Sequence, residues 1–463
     1  MIHGEVETVI TDPREQLASQ LRGRVFLPDC PEYDRSRTVW NGSIDRRPAL
    51  IVHCAGVSDI RHALSYAHAH NLAVSVKGGG HNVAGNAVCD GGLMIDLSLM
   101  KGIRVDPKRR TAQAQAGTIW REFDLETASF GLATTGGTVS MTGVAGLTLG
   151  GGFGWLMPKY GLTCDNLLSA DVLLADGQFV TANAHDHADL FWALRGGGGN
   201  FGVVTSFEFQ LHPVTTVTAG FVVYPLDRVH EVLHFYRDYT ATAPDDLTVY
   251  AVRMSLPDGT PAVVLVVCYM GPDKDAETVL RPIRDLGVPM ADTIARMPYI
   301  DFQKSFDAGS PAGMHQYWKT NLMPELSDAA LEIVEEAFKS MTSPYSFVFL
   351  EHLHGAVGRV PADATAFPHR NAKFNFTTMA TWTNPPEAAT HVEFARKHWT
   401  SMLPHSSSGG YVNYLSNDSD DELIRGTFGK NYERLAAVKA KYDPTNFFHL
   451  NQNVKPAMRA GAK

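Results

Sequence analysis

The order of hydrophobic and polar positions changes period several times along the chain. Ser58 is predicted to cap a helix that carries Ile60, Ala63, Leu64 and Ala67 on one face, and Leu72-Ala73-Val74-Ser75-Val76 follows as a strand. Leu93-Met94-Ile95-Asp96-Leu97 reads as the next strand. Ile103-Arg104-Val105 then turns at Asp106-Pro107 into 111–116, a hairpin whose second strand alternates alanines with polar groups. Small residues on that face admit another backbone or a flat ligand. Residues 171–178 predict a strand and turn, 189–195 a helix, and Phe207-Glu208-Phe209-Gln210-Leu211 an alternating strand stopped by Pro213. Beyond residue 215, strands such as 262–267 and 346–350 alternate with helices such as 328–339. A last helix runs through Tyr432, Leu435 and Val438 and ends at Asp443-Pro444, because the residue before proline avoids the α region.

Composition divides this pattern into parts. Glycine is concentrated between residues 78 and 202, whereas about 215–405 is poorer in glycine and richer in Pro, Met and aromatics. The expected organisation is an N-terminal part (1–214), an inserted domain (215–408) and a return segment (409–463), within a 463-residue chain able to bury sizeable cores. A charged fraction of 19% and a formal charge of −9, with no basic run, argue against a nucleic-acid partner. Residues 1–7 are acidic and lack the apolar core of a signal peptide, and no apolar run approaches the ~20 residues of a membrane helix. Five cysteines, an odd and scattered set without metal-knuckle spacing, suit a reducing compartment. A cytoplasmic protein without a membrane partner is expected.

The chemistry concentrates in glycine. In Lys77-Gly78-Gly79-Gly80-His81-Asn82, three residues without a Cβ let backbone N–H groups press against an anion, with an imidazole directly behind. Gly197-Gly198-Gly199-Asn200-Phe201-Gly202 matches G-x-G-x-x-G, but a helix precedes it and a strand follows, the reverse of a Rossmann turn. Tight turns alone explain one glycine segment easily and three (78–85, 136–154, 196–202) poorly. A flavin dinucleotide, with a pyrophosphate needing donors and a broad ring needing flat walls, explains all three.

These residues, together with Gly136-Gly137-Thr138, Gly143-Val144-Ala145-Gly146 running on to Gly154, Tyr160-Gly161-Leu162 with Asp165-Asn166, 192–205 and 441–448, resemble the berberine bridge enzyme-like family. That family belongs to the vanillyl-alcohol oxidase and p-cresol methylhydroxylase type of FAD-dependent oxidases, and the match is most similar to its 6-hydroxynicotine oxidase-like branch. The resemblance implies an α+β fold: a two-part FAD-binding domain of the vanillyl-alcohol oxidase type, with an inserted α+β substrate domain of antiparallel sheet flanked by helices. It implies FAD tethered through His81 to the flavin 8α carbon, since a neutral imidazole is a good nucleophile. FAD contacts are implied at Lys77, Gly78, Gly79, Gly80, Asn82, Gly85, Ser98, Gly137, Thr138, Thr142, Gly143, Gly146, Gly152, Phe153, Gly154, Val204, Asn413, Asn451 and Asn453. Some family members add a cysteinyl link; the aligned residue here is Val139, beside Ser140, so a monocovalent flavin is expected.

Oxidation of an alcohol or amine by such a cofactor needs a base for the hydroxyl or ammonium proton. Tyr411-Val412-Asn413-Tyr414 offers two tyrosines, and alternation sets Tyr411 and Asn413 on one face and Tyr414 on the other. The preceding Ser406-Ser407-Ser408-Gly409-Gly410 reads as a mobile entrance. The family's carboxylate position has no acid in 374–382; the nearest is Glu351, next to His352. Tyr411, Tyr414, Glu351 and His352 all remain candidates. His352 and His354 share a strand face without a visible third ligand, so no metal is expected. The expected activity is hydride transfer from an alcohol or amine to FAD and on to O₂, giving H₂O₂. Alternatives are a flavin dehydrogenase, an oxidative cyclase or desaturase, or a flavoprotein that sequesters its ligand.

Overall fold

The computed structural model describes residues 12–407 and 409–458. The acidic stretch 1–7 and Ser408 lie outside the described residues. Leu50–His53, Leu93–Asp96 and Val74–Lys77 pair in parallel, with Arg24–Phe26 antiparallel on the edge. Leu50, Ile51, Val52, Leu93, Met94 and Ile95 are all buried, as expected for parallel strands covered on both faces. The Val57–Ala69 helix covers one face with Ile60, Ala63, Leu64 and Ala67. Ser58 does not cap it: Gly56 occupies the cap position without a side-chain bond. The approach to the helix is held instead by Asp59, whose carboxylate accepts from the N–H groups of Arg22, Gly23 and Ala55.

A five-stranded antiparallel sheet follows, ordered Ile103–Asp106, Thr111–Gln115, Val203–Gln210, Leu167–Leu173, Phe179–Asn183. Ala112 and Ala114 stand opposite Phe209 and Phe207, so the alanine face accommodates core aromatics rather than a ligand. The second strand of that pairing ends at Gln210, and Pro213 itself makes a short pairing opposite Leu132. The helix Ala188–Leu194 precedes and the strand Val203–Gln210 follows the 196–202 glycines, which is not a Rossmann arrangement.

Residues 216–382 supply an eight-stranded antiparallel sheet. Its central order is Thr216–Pro225, Pro261–Tyr269, Leu247–Ser255, Phe347–His352, Phe374–Trp382, His315–Met323. Helices Val229–Thr240, Asp273–Arg284, Asp328–Lys339 and Ala388–Met402 bury apolar stripes on one face. The other face packs against Phe153, Trp155 and Tyr411. The fold is therefore α+β. The terminal helix Tyr432–Tyr442 ends at Asp443, and its Lys439 is wholly buried. The Lys439 ammonium donates to Asp443 Oδ2 (2.6 Å), Asn200 O (2.6 Å) and Phe448 O (2.9 Å), which pins the tail to the glycine loop before the 203–210 strand. A buried ion that spends all its donors in this way avoids the cost of an unpaired charge.

Among the described residues no helix is long and apolar enough to cross a membrane, and no group of three or more His, Cys, Asp or Glu is placed to hold a metal.

Candidate active site

One long cavity runs between the two parts of the fold. The glycine turn 78–80, the 137–147 segment, Gly198, Gly199, Val204, Asn413, Asn451 and the inner face of the large sheet all line it. Two loops meet there backbone to backbone: a Cβ at Gly79 would stand 2.5 Å from the Cα of Gly143. The turn can form only because both positions are glycine. Gly146 and Gly199 differ from these, since a Cβ on either would meet nothing within 4 Å. They border open space that a flat ligand can fill.

His81 is half-buried at the end of the turn, and its ring lies on the indole of Trp40 with centroids 4.1 Å apart. Its buried Nε2 has no hydrogen-bond partner among the described residues. Burial pushes the imidazole down to about 4, so the ring is neutral and its nitrogen lone pair is available. The amides of Gly79, Gly80, His81 and Asn82 likewise find no acceptor among the described residues. A buried ring nitrogen and a run of amides left without acceptors are open to a bound partner. A flavin dinucleotide fits them: an anion for the amides, a flat ring for the walls beside Gly146, a covalent or hydrogen-bonded partner for His81. Val139 lines the same cavity and offers no sulfur, while Cys164 is buried outside it.

The large sheet supplies the opposite wall. On Phe347–His352, Phe347, Phe349 and Glu351 line the cavity, while Val348 and Leu350 pack with the helical layer. Glu351 is 1% exposed. Asn375 Nδ2 donates to its Oε2 at 2.6 Å, and the Tyr414 hydroxyl faces its Oε1 at 3.4 Å. Burial outweighs these two bonds and raises the carboxyl to about 7. Burial also raises the Tyr414 phenol well above its ordinary value, with Glu351 adding to it, so the tyrosine stays protonated and donates.

Several sequence expectations need correction. His352 points to the other side of its strand, stacked on His354 (centroids 4.1 Å apart) and on Phe374 (5.2 Å), because adjacent strand residues face opposite ways. Tyr411 and Asn413 do not alternate on a strand, since 412–414 forms a 3₁₀ turn. The Tyr411 side chain lies behind the cavity wall, stacked on Phe153 at 3.8 Å. Its oxygen accepts from the N–H groups of Gly152 (3.0 Å) and Phe153 (3.2 Å) and from Asn413 Nδ2 (2.8 Å), leaving no route to a substrate. Lys77 turns away to the carbonyls of Ser36 and Thr38 and to Asp96. Ser98 is hydrogen-bonded to His53 at 2.8 Å. Gly85, Gly152, Gly154 and Asn453 lie outside the cavity lining. The three glycines serve close packing instead: Gly85 turns with φ +73° against Ile44, a Cβ on Gly152 would meet Thr163 Oγ1 at 2.2 Å, and one on Gly154 would collide with Gly136 O. Nor do the described residues of 406–410 line an entrance; Ser407 N–H donates to Leu322 O and Gly410 N–H to Thr427 Oγ1.

Gly78, Gly79, Gly80, Asn82, Gly137, Thr138, Thr142, Gly143, Gly146, Phe153, Val204, Asn413 and Asn451 do border the cavity. Asn451 Nδ2 donates to Gly199 O, and its Oδ1 is buried without a partner among the described residues. Residues that sequence reasoning missed hold the site from behind. Gln303 Nε2 donates to Gly137 O at 2.6 Å, and Asp307 accepts from the N–H and the hydroxyl of Ser140 at 2.9 and 2.6 Å. Both come from the inserted part and have no local motif. Trp40, Gln316, Trp318, Phe306 and Met379 also line the cavity.

The fold and cavity define a flavin-binding oxidoreductase. Residues 48–183 match the FAD binding domain family and 410–455 the berberine and berberine-like family. An uncharacterized FAD-linked oxidoreductase of Bacillus subtilis is 32% identical over 96% of this chain and 99% of its own. (R)-6-hydroxynicotine oxidase of Paenarthrobacter nicotinovorans is 32% identical over 94% of this chain and 97% of its own. Among solved structures, 6-hydroxy-D-nicotine oxidase from Arthrobacter nicotinovorans superposes with TM-score 0.86 at 30% identity, covering 94% of this chain and 98% of that one. Chitooligosaccharide oxidase superposes with TM-score 0.85 at 25% identity, covering 96% of this chain and all of that one. The chain belongs to the berberine bridge enzyme-like FAD-linked oxidoreductases.

Proposed function

We propose that this FAD-dependent oxidoreductase is an oxidase of an alcohol or amine, with the flavin carried covalently on His81. The segments 1–214 and 409–463 hold the cofactor and 215–408 forms the substrate chamber. The observation that carries the reading is the pair formed by Tyr414 and the buried Glu351, facing the same cavity as the glycine turn. When bound, FAD supplies the two-electron acceptor for the hydride and returns those electrons to O₂ as H₂O₂. Tyr414 takes the proton from the substrate hydroxyl or ammonium and passes its own to Glu351. Asn375 holds the carboxylate in place from the neighbouring strand, where it stands opposite Glu351. A carboxyl raised to about 7 is matched to that task near neutral pH. The apolar walls exclude water, which strengthens these polar contacts. Support for the tether is the neutral, unpartnered Nε2 of His81; Val139 at the wall argues for a single link.

The test is the visible spectrum of the purified protein before and after acid precipitation, then an H₂O₂ assay over alcohols and amines. A yellow pellet that turns colourless in His81→Ala, with H₂O₂ release from part of the panel, is expected. Flavin that washes entirely into the supernatant removes the tether. Flavin reduction without H₂O₂, but with dye acceptors, would move the assignment to a dehydrogenase.

A further inference from the structure

Resting on that reading, we infer that Gln316 is a fixed hydrogen-bond donor to the substrate. The substrate is then a largely apolar alcohol or amine that also carries an acceptor, a carbonyl oxygen or a ring nitrogen. Gln316 is only 5% exposed and lines the cavity. Trp318 Nε1 lies 3.0 Å from its Oε1, and an indole N–H can only donate, so the orientation of the amide is determined. Thr381, directly across the ladder from Gln316, donates its hydroxyl to the same oxygen at 2.7 Å. Both lone pairs of Oε1 are therefore used. The two N–H bonds of Nε2 have no partner among the described residues.

The main chain that carries it is also held in place. Asn41 accepts from the Gln316 N–H at 3.0 Å and donates to the Gln316 carbonyl at 3.1 Å, while also donating to Val83 O at 2.7 Å. Two residues on, Ser416 brackets Trp318, accepting from its N–H and donating to its carbonyl. Trp318 in turn meets the Tyr414 ring edge-on at 5.4 Å. The donor and the base thus belong to one immobilised wall. Phe306, Phe347, Phe349 and Met379 make the rest of that chamber apolar. A donor pair fixed in such surroundings discriminates strongly, because a ligand lacking an acceptor leaves it unpaired.

Matched ligands test this on the flavin-loaded protein. 4-Pyridylmethanol is compared with benzyl alcohol, and acetophenone with ethylbenzene, each titrated at millimolar concentrations while the flavin absorbance is followed. The wild type should bind the acceptor-bearing member of at least one pair about tenfold tighter or more. Gln316→Leu should erase that preference. Gln316→Glu keeps an acceptor for Trp318 and Thr381 and loses the donor, so it should erase or invert the preference while preserving the fold and the flavin spectrum. Equal binding within each pair, a preference that survives Gln316→Leu and Gln316→Glu, or no binding by any member overturns the inference. None of these results touches the oxidase reading, which stands or falls on flavin retention and H₂O₂ release.

Discussion

The imidazole of His81 lies parallel to the indole of Trp40, with centroids 4.1 Å apart and planes 17° from parallel. Trp40 is itself anchored: its Nε1 donates to Ser310 O at 3.0 Å, its N–H to Gly80 O at 3.0 Å, and its carbonyl accepts from Gly313. The tryptophan therefore joins the glycine turn to the inserted part and fixes the plane of the ring that carries the orphaned nitrogen. From there the aromatic wall continues through Trp318, whose ring is 5.6 Å from Trp40, to Tyr414.

Removing Trp40 should thus affect attachment more than binding. An aromatic contact of this kind contributes about 0.5–1.5 kcal/mol beyond its buried area. Trp40→Ala is expected to bind FAD yet release a larger share of it to the supernatant on acid precipitation, whereas His81→Ala releases all of it. Complete covalent retention in Trp40→Ala would show that the stack does not orient His81.

Glu351 must be ionised to receive the Tyr414 proton, and its carboxyl titrates at about 7. The rate of flavin reduction by substrate is expected to rise with pH through that region and then level off. Glu351→Gln should remove the inflection and slow reduction by roughly 10²–10⁴-fold. An unchanged profile in Glu351→Gln would assign the inflection to another group.

Which parts were legible depended on how local their cause is. The glycine turn was readable because the clearance it provides, Gly79 against Gly143, is a property of residue type. Helix faces such as Ile60, Ala63, Leu64 and Ala67 were readable by period alone. The strand period of two applied to 347–352 puts Phe347, Phe349 and Glu351 together and sends His352 away. Alternation failed at Tyr411 because the segment turns instead of extending. The chamber was not legible, since it depends on register: Gln316 meets Thr381, and Phe347 meets Met379, across strands more than thirty residues apart. No short pattern announces such a pairing.

The two tyrosines of 411–414 should separate cleanly on mutation. Tyr411→Phe removes the acceptor for two buried N–H groups, at a cost of about 1–3 kcal/mol for each group left unsatisfied. Tm should fall while substrate-driven flavin reduction changes little. Tyr414→Phe should leave Tm nearly unchanged and slow reduction by roughly 10²–10⁴-fold. A large rate loss in Tyr411→Phe with intact stability would reverse the two roles.

Asp124 presents a different kind of acid. It sits on the Trp120–Ala128 helix, 3% exposed, and neither carboxylate oxygen is hydrogen-bonded among the described residues. Burial raises its pKa well above the ordinary value of 3.8, opposed only by Lys304. Because the folded state then holds a proton that the unfolded state has released, this group's contribution is fully present below about pH 4 and is lost as pH rises toward the folded value. Asp124→Asn has no such titration. The variant should match the wild type in thermal unfolding near pH 4 and exceed it near neutral pH, by about 1–3 kcal/mol if the cost is that of an unsatisfied buried group. Thermal unfolding of both proteins across that range is the measurement. A difference independent of pH would mean that Asp124 finds a partner in solution and titrates normally.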